Sequence, residues 1–145
     1  MTEPISPRIV CQCAAISVPL PSGPLKVYHC HCQQCRRQSG SAYGTSAIFP
    51  ATVLLPLSPS LSAKLGKWTR PTDSGGSMDC YFCKICANRI MHHGRTGDGK
   101  EKATLSVKGG LVEGLDWKGA AHIHTRRGVV KVPEGVESWE GEPDD

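Results

Sequence analysis

Short stretches that mix apolar and polar positions, rich in β-branched side chains, dominate the chain and predict strands far more often than helices. Glycine, proline and serine clusters separate these stretches, as expected for turns. One segment, residues 32–39, is compatible with a helix, and it is short. The pattern therefore predicts a mainly β single domain of short antiparallel strands and many loops. The predicted strands cover residues 9–18, 25–30, 46–55, 65–69, 78–82, 89–92, 103–107, 121–125 and 129–132.

The length of 145 residues fits one domain and not two. We expect a flexible N-terminus over residues 1–8, the domain over residues 9–133, and an acidic tail over residues 134–145 that is ordered at best in part. The N-terminus lacks the apolar core of a signal peptide. The one long apolar run, residues 47–57, is too short to span a bilayer and contains two prolines. We therefore expect no membrane partner and a cytoplasmic location.

Charge is distributed unevenly along the chain, whose net charge is +4 at pH 7. All 17 basic residues lie at or before Lys131, whereas six of the 13 acidic residues follow it. Such a basic body suits an anionic partner, either a small acidic substrate or a polyanion, although a solvated surface screened by the tail explains the same asymmetry. The basic residues are scattered, and no lysine- and arginine-rich block of the kind that binds nucleic acid is present. We therefore do not expect nucleic acid as a partner.

The eight cysteines form three closely spaced groups. In a reducing compartment, clustered cysteines bind metal or do chemistry more often than they form disulfides. Residues two apart on a strand point to one face, so Cys11 and Cys13 can reach the same metal, and Cys83-x-x-Cys86 has the tight-turn spacing of half a zinc site. These four thiols would make a closed site. A metal there would offset the entropy of closing the long intervening loop. The groups are Cys11-x-Cys13, Cys30-x-Cys32-x-x-Cys35 and Cys80-x-x-Cys83-x-x-Cys86.

The middle group has the ligand number of a catalytic zinc site. Three thiolates hold one zinc and leave a fourth position for water or substrate, whereas structural zinc sites are closed by four ligands. Spacing alone leaves two alternatives open. One is a set of disulfides. The other is a second closed site, with Cys80 as the main candidate for the fourth ligand; the remaining candidates are His29, His31, His92 and His93.

The string CHCQQCRRQSGSAY from Cys30 to Tyr43, flanked by Cys11-x-Cys13 and Phe82-Cys83-x-x-Cys86, closely resembles the glutathione-dependent formaldehyde-activating enzyme family, which includes centromere protein V. The resemblance extends from about residue 9 to the acidic tail. It implies a mainly β fold related to the Mss4-like zinc proteins and two zinc ions per chain. It makes Cys11, Cys13, Cys83 and Cys86 the ligands of a structural zinc, and Cys30, Cys32 and Cys35 the ligands of a catalytic one.

The chain departs from the family pattern at two positions that bear on these sites. Ala87 and Asn88 follow the last cysteine, where a glycine is usual, so the turn there is expected to differ. Cys80 stands where many members have a basic residue, which would remove a substrate contact or add a ligand to the second zinc.

A zinc ion held by three thiolates suits the binding of a thiol better than the splitting of water, because a coordinating thiol loses its proton. The resemblance implies a zinc-dependent carbon–sulfur lyase that acts on a glutathione adduct, or one of a similar thiol, such as S-(hydroxymethyl)glutathione. Cys30, Cys32 and Cys35 are then the catalytic residues. The candidate substrate-binding residues are Arg36, Arg37, Ser39, Gly40 and His122.

These substrate-binding roles have structural alternatives. Arg36 and Arg37 suit the carboxylates of glutathione, but they equally form a solvated surface pair. Ser39 and Gly40 shape the loop below the metal or a plain turn, and His122 is a site residue or a structural histidine. Centromere-associated relatives imply an alternative function, a non-catalytic zinc-binding module that binds nucleic acid or chromatin. A family member acting on a specialised metabolite is a further alternative.

Overall fold

The computed structural model describes residues 6–143 and confirms a mainly β single domain. The helices are α1 (Gln33–Ser39) and α2 (Pro59–Lys64), and single 3-10 turns occupy Ala51–Val53, Gly109–Leu111 and Thr125–Arg127. The strands are β1 (Arg8–Val10), β2 (Ser17–Pro19), β3 (Lys26–Cys30), β4 (Gly44–Pro50), β5 (Leu65–Pro71), β6 (Ser77–Cys83), β7 (Arg89–Arg95), β8 (Thr104–Lys108), β9 (Val112–Glu113) and β10 (Ala121–Ile123).

Seven of these strands form one sheet in the order β10-β3-β4-β8-β7-β6-β5. Neighbouring strands within this sheet run antiparallel, except that β10 pairs parallel to β3. The other three form a small antiparallel sheet in the order β2-β1-β9. The predicted strands at residues 78–82 and 89–92, which flank the third cysteine group, are the paired strands β6 and β7 of a hairpin, and a β-bulge lies between Tyr81 and Phe82. The order of the large sheet places the end of β8 between the starts of β4 and β7.

Two apolar clusters pack against the large sheet, because successive side chains of a strand point to opposite faces. Val27 of β3 joins the larger cluster, whereas its neighbour Tyr28 joins the smaller one. Cys11 and Cys83 belong to the larger cluster, and Cys30 belongs to the smaller one. The first and third cysteine groups are therefore anchored in one part of the core, and the middle group is anchored in another.

Three local predictions are wrong. Residues 9–18 do not form one strand, because a turn that carries Cys11 and Cys13 separates β1 from β2. Residues 129–132 do not form a strand. Helix α2 was not predicted, although its cap is local: the Ser58 side chain accepts a hydrogen bond from the Leu61 N–H, and a proline opens the helix.

The acidic segment makes backbone hydrogen bonds to β10, although we expected it to be ordered only in part. The His122 N–H donates to the carbonyl of Glu137, and the Trp139 N–H donates to the carbonyl of His122, both at 2.9 Å. The Glu142 carboxylate lies 2.9 Å from Nε2 of His124, which raises the pKa of this histidine. Residues 137–142 thus cover the outer edge of the large sheet.

Candidate metal centres

Four of the thiols in the first and third cysteine groups converge on one point. Their Sγ atoms all lie within 4.8 Å of one another, and Sγ of Cys13 is 3.6 Å from that of Cys11 and 3.7 Å from that of Cys83. A tetrahedral zinc bound at about 2.3 Å separates its sulfurs by about 3.8 Å. The spacing therefore fits a closed zinc site. Its ligands are Cys11, Cys13, Cys83 and Cys86.

Backbone groups around this first site favour ionised sulfur. The Ile16 N–H donates to Sγ of Cys11 at 3.3 Å, and the Ile85 N–H donates to Sγ of Cys83 at 3.4 Å. The pKa of Cys86 is lowered to about 6, chiefly because the backbone of Asn88 hydrogen-bonds to its sulfur. Such bonds stabilise thiolates, which are the form that binds a metal.

Ala87 keeps a turn in which glycine is favoured. Its φ is +63°, and its N–H donates to the Cys83 carbonyl at 2.8 Å, which closes the turn around the metal-binding pair. Ala14, directly after Cys13, has a φ of +64°. Ala87 therefore adopts a backbone conformation that favours glycine, and the expectation that the turn differs from the family pattern stays a prediction.

The three thiols of the middle group also meet. Cys30 ends β3, Cys32 is the N-cap of α1, and Cys35 lies in the first helical turn; their Sγ atoms are within 4.8 Å of one another. The Cys35 N–H donates to Sγ of Cys32 at 3.3 Å, so the cap that starts the helix is itself a candidate ligand. Hydrogen bonds from Cys30 and Cys35 lower the pKa of Cys32 to about 2, and the same contacts raise that of Cys30.

No fourth Cys, His, Asp or Glu joins the middle group within residues 6–143. Cys80 is fully buried in β6, where its thiol contacts the carbonyl of Met78 at 3.7 Å, and it belongs to neither group. The candidate histidine ligands are hydrogen-bonded elsewhere: His29 to Thr45, His31 to His122, His92 to Arg89 and His93 to the Lys102 carbonyl. The arrangement is four thiols, three thiols and one separate thiol.

The predicted substrate residues lie on two sides of α1. Arg36, Arg37 and Gly40 line a shallow depression on the side away from the sheet, and Nη1 of Arg36 donates to the Arg127 carbonyl at 3.2 Å. Ser39 donates to the Cys35 carbonyl at 2.7 Å and faces a different cleft. Their roles in substrate binding stay predictions.

His122 is part of a buried histidine cluster that the sequence did not reveal as a unit. Its Nδ1 lies 2.8 Å from Nε2 of His31, and its ring centre lies 4.8 Å from that of His29. Burial lowers the pKa of all three histidines. The parallel pairing of β10 with β3 aligns His122 with His29, and this contact between distant segments has no local signal in the sequence.

A cleft of about 500 Å³ lies at the end of the large sheet, between the two metal-binding groups. Cys86 and Asn88 of the first group's turn form one side, and Gln38 and Ser39 of α1 form another. Its two charged residues are Arg89, which starts β7, and Lys108, which ends β8. Sequence reasoning missed both. Lys108 lies far along the chain from every cysteine, and Arg89, although three residues after Cys86, lies far along the chain from the middle group.

The fold and the two thiol groups define a mainly β protein with two candidate metal centres. The model of the glutathione-dependent formaldehyde-activating enzyme family matches residues 6–127, and the chain belongs to this family. The matched segment includes all eight cysteines and ends before the acidic segment. No curated protein matches the chain. None of the helices within residues 6–143 has the length and apolar character needed to cross a membrane.

Proposed function

We propose that the protein is a zinc-dependent carbon–sulfur lyase that acts on a thiol adduct of the S-(hydroxymethyl)glutathione type. The observation that carries the proposal is the group of Cys30, Cys32 and Cys35, which has no fourth ligand among the described residues. Gln38, which donates a hydrogen bond to Cys35, lines an open cleft. Family membership supports a glutathione-related thiol and formaldehyde as the reaction partners.

In this reaction the carbon–sulfur bond breaks and its electron pair stays on sulfur. The adduct's hydroxyl group releases its proton to water, so the products are formaldehyde and the thiolate. A zinc ion on the three thiolates would supply an open coordination position that stabilises the leaving sulfur as a thiolate. The chain holds the three thiols in place through the cap of α1 and through Gln38, whose Nε2 donates to Sγ of Cys35 at 3.5 Å. Such a hydrogen bond orients the side chain of a candidate metal ligand.

The outer four thiols suit a structural zinc in the same proposal. They supply four ligands and so leave no position for substrate. They also join the turn after β1, in the small sheet, to the β6–β7 hairpin of the large sheet. Substitution in the two groups should therefore have different consequences.

Replacement of one thiol of the middle group tests the proposal. We expect Cys32→Ser to reduce turnover of S-(hydroxymethyl)glutathione to the uncatalysed rate and to remove one of two zinc ions, while the circular dichroism spectrum is retained. Formaldehyde release and metal analysis of the purified protein measure these effects.

Cys80→Ser is the matched control, because Cys80 is a buried thiol outside both groups. It should keep two zinc ions and full turnover. Turnover at the parental rate in Cys32→Ser would refute the proposal, and so would the absence of turnover in a parent protein that holds both zinc ions.

A further inference from the structure

We propose that the cleft between the two thiol groups binds a carboxylate of the substrate thiol, and that Lys108 and Arg89 recognise it. The inference rests on the proposed function and adds its specificity: the protein selects thiols that carry negative charge at a distance from sulfur. It also moves the anion site from Arg36 and Arg37, where the sequence placed it, to the opposite side of α1.

The cleft approaches the three thiols through two of its lining residues, Lys108 and Gln38. A Cβ atom on Gly44 would lie 3.2 Å from Nζ of Lys108 and 3.3 Å from Cβ of Cys35, so the ammonium group and this candidate ligand flank the same glycine. Gln38 lines the cleft and donates to Sγ of Cys35. A ligand whose sulfur binds at the three thiols can therefore extend into the cleft.

The charge of the cleft matches an anion. Lys108 and Arg89 line it, and no Asp or Glu does within the part of the chain that the structure describes. Neither cation forms an ion pair with a carboxylate of residues 6–143. Arg89 donates to Nε2 of His92 at 3.2 Å and lies over the ring of Trp68, which fixes its direction while most of its N–H donors stay available.

Lys108 and Arg89 are both half-buried, which makes this lack of a counter-ion significant. The thiols of Cys35 and Cys30 lie within electrostatic reach of Lys108. A cation removed from water gains from a charged partner, because its hydration is lost. The thiols supply part of this compensation for Lys108. Arg89, at the other side of the cleft, interacts with two neutral rings.

The polar wall of the cleft suits a ligand with amide groups. Oε1 of Gln38 is buried and has no hydrogen-bond partner within the described residues. Gln12 and Asn88 add two more side-chain amides to the lining. Buried polar atoms are normally paired, so this acceptor, on a side chain that lines the cleft, would gain a partner if the side chain turned toward a ligand N–H. A carboxylated thiol with peptide bonds satisfies both the cations and this acceptor.

Binding of glutathione and of its diethyl ester separates charge recognition from thiol recognition. We expect the zinc-loaded full chain to bind glutathione at least tenfold more tightly than the ester in calorimetric titrations. Lys108→Gln and Arg89→Gln should each weaken glutathione binding roughly tenfold and change ester binding by less than about twofold. Lys67→Gln, which removes an exposed lysine of β5, is the control and should change neither.

Metal analysis accompanies each variant. If the Lys108→Gln variant loses zinc, the glutathione affinity of the Arg89→Gln variant becomes the test of the inference. Arg89 contacts His92 and Trp68, not a thiol of either group, so its replacement should leave the zinc in place. Unchanged glutathione binding in Arg89→Gln, or loss of the preference for glutathione in Arg36→Gln or Arg37→Gln instead, would overturn the inference and leave the lyase proposal intact. Equal affinity of the parent for glutathione and ester would also overturn the inference. A zinc-loaded parent that binds neither thiol would overturn the proposed function itself.

Discussion

Ala87 is a residue whose backbone conformation serves a ligand group at some energetic cost. A left-handed conformation costs a residue with a Cβ about 1–2 kcal/mol, and Ala87 adopts it at φ +63° directly after Cys86. Nothing within residues 6–143 makes alanine necessary for the turn, because the bond from its N–H to the Cys83 carbonyl is a backbone contact. Glycine would make the same bond without the steric penalty.

We therefore expect Ala87→Gly to stabilise the zinc-loaded protein by about 0.5–1 kcal/mol. The relief of the left-handed strain exceeds the extra entropy that glycine gives the unfolded chain. Urea denaturation gives the free energy of unfolding. Ala63→Gly is the matched control in the exposed helix α2, where the same change should destabilise by about 0.5–1 kcal/mol. Equal destabilisation in both variants would contradict this account of the turn.

At the scale of elements, one buried carboxylate joins three strands. Asp79 of β6 is 1% exposed; it accepts a hydrogen bond from Oγ1 of Thr69 in β5 and pairs with Nη1 of Arg95 in β7, both at 2.7 Å. Burial alone would raise the pKa of Asp79, but these partners lower it below its usual value. Asp79 therefore links β5, β6 and β7, which form the end of the large sheet opposite β10.

We expect Asp79→Asn to destabilise the protein by about 2 kcal/mol at pH 7, because it leaves Arg95 without its buried partner. Since the native pKa is below the unfolded value of about 3.9, the contribution is complete above that value and disappears as pH falls through the native pKa. The gap in unfolding free energy between parent and variant should therefore narrow below about pH 4. Urea denaturation at a series of pH values measures it.

Glu101→Gln is the control for this prediction. Glu101 lies 3.6 Å from the same arginine, but its side chain is exposed, so its loss should change the free energy of unfolding by less than about 0.5 kcal/mol. The parent and Asp79→Asn could still differ as much in free energy of unfolding at pH 3 as at pH 7. That result would show that the carboxylate's charge is not the source of the stabilisation.

The elements that could be predicted from the sequence are those with local signals. The β6–β7 hairpin and α1 were predicted because cysteine spacing and turn residues mark them within a few positions. The alignment of β10 with β3 was not predicted, because it joins segments about ninety residues apart and is parallel. The thiol groups could be predicted for the same local reason. Lys108 reaches them only through the strand order, which no short motif encodes. Arg89 follows Cys86 by three residues, but only the fold brings it into one cleft with Gln38 and Ser39.

At the scale of the whole molecule, the first thiol group connects the two sheets. The turn after β1 supplies Cys11 and Cys13, whereas the end of β6 and the following turn supply Cys83 and Cys86. The small sheet has only three short strands, of two or three residues each. In zinc-finger peptides a structural zinc contributes about 10–16 kcal/mol, as much as the whole stability of a typical domain. Removal of a zinc ion bound at these four thiols should therefore unfold the domain.

We expect a strong chelator to remove zinc in two steps. The zinc of the three-thiol group, which lacks a fourth protein ligand, should leave first without a change in circular dichroism, and release of the second should coincide with unfolding. Cys11→Ser should leave the purified chain unfolded at 25 °C, whereas Cys35→Ser should fold with one zinc ion. Metal released into a zinc indicator, followed together with circular dichroism, measures both steps, and Cys80→Ser should behave as the parent does. Folded protein after loss of both zinc ions would contradict the structural role, because the two sheets would then be joined by the core alone.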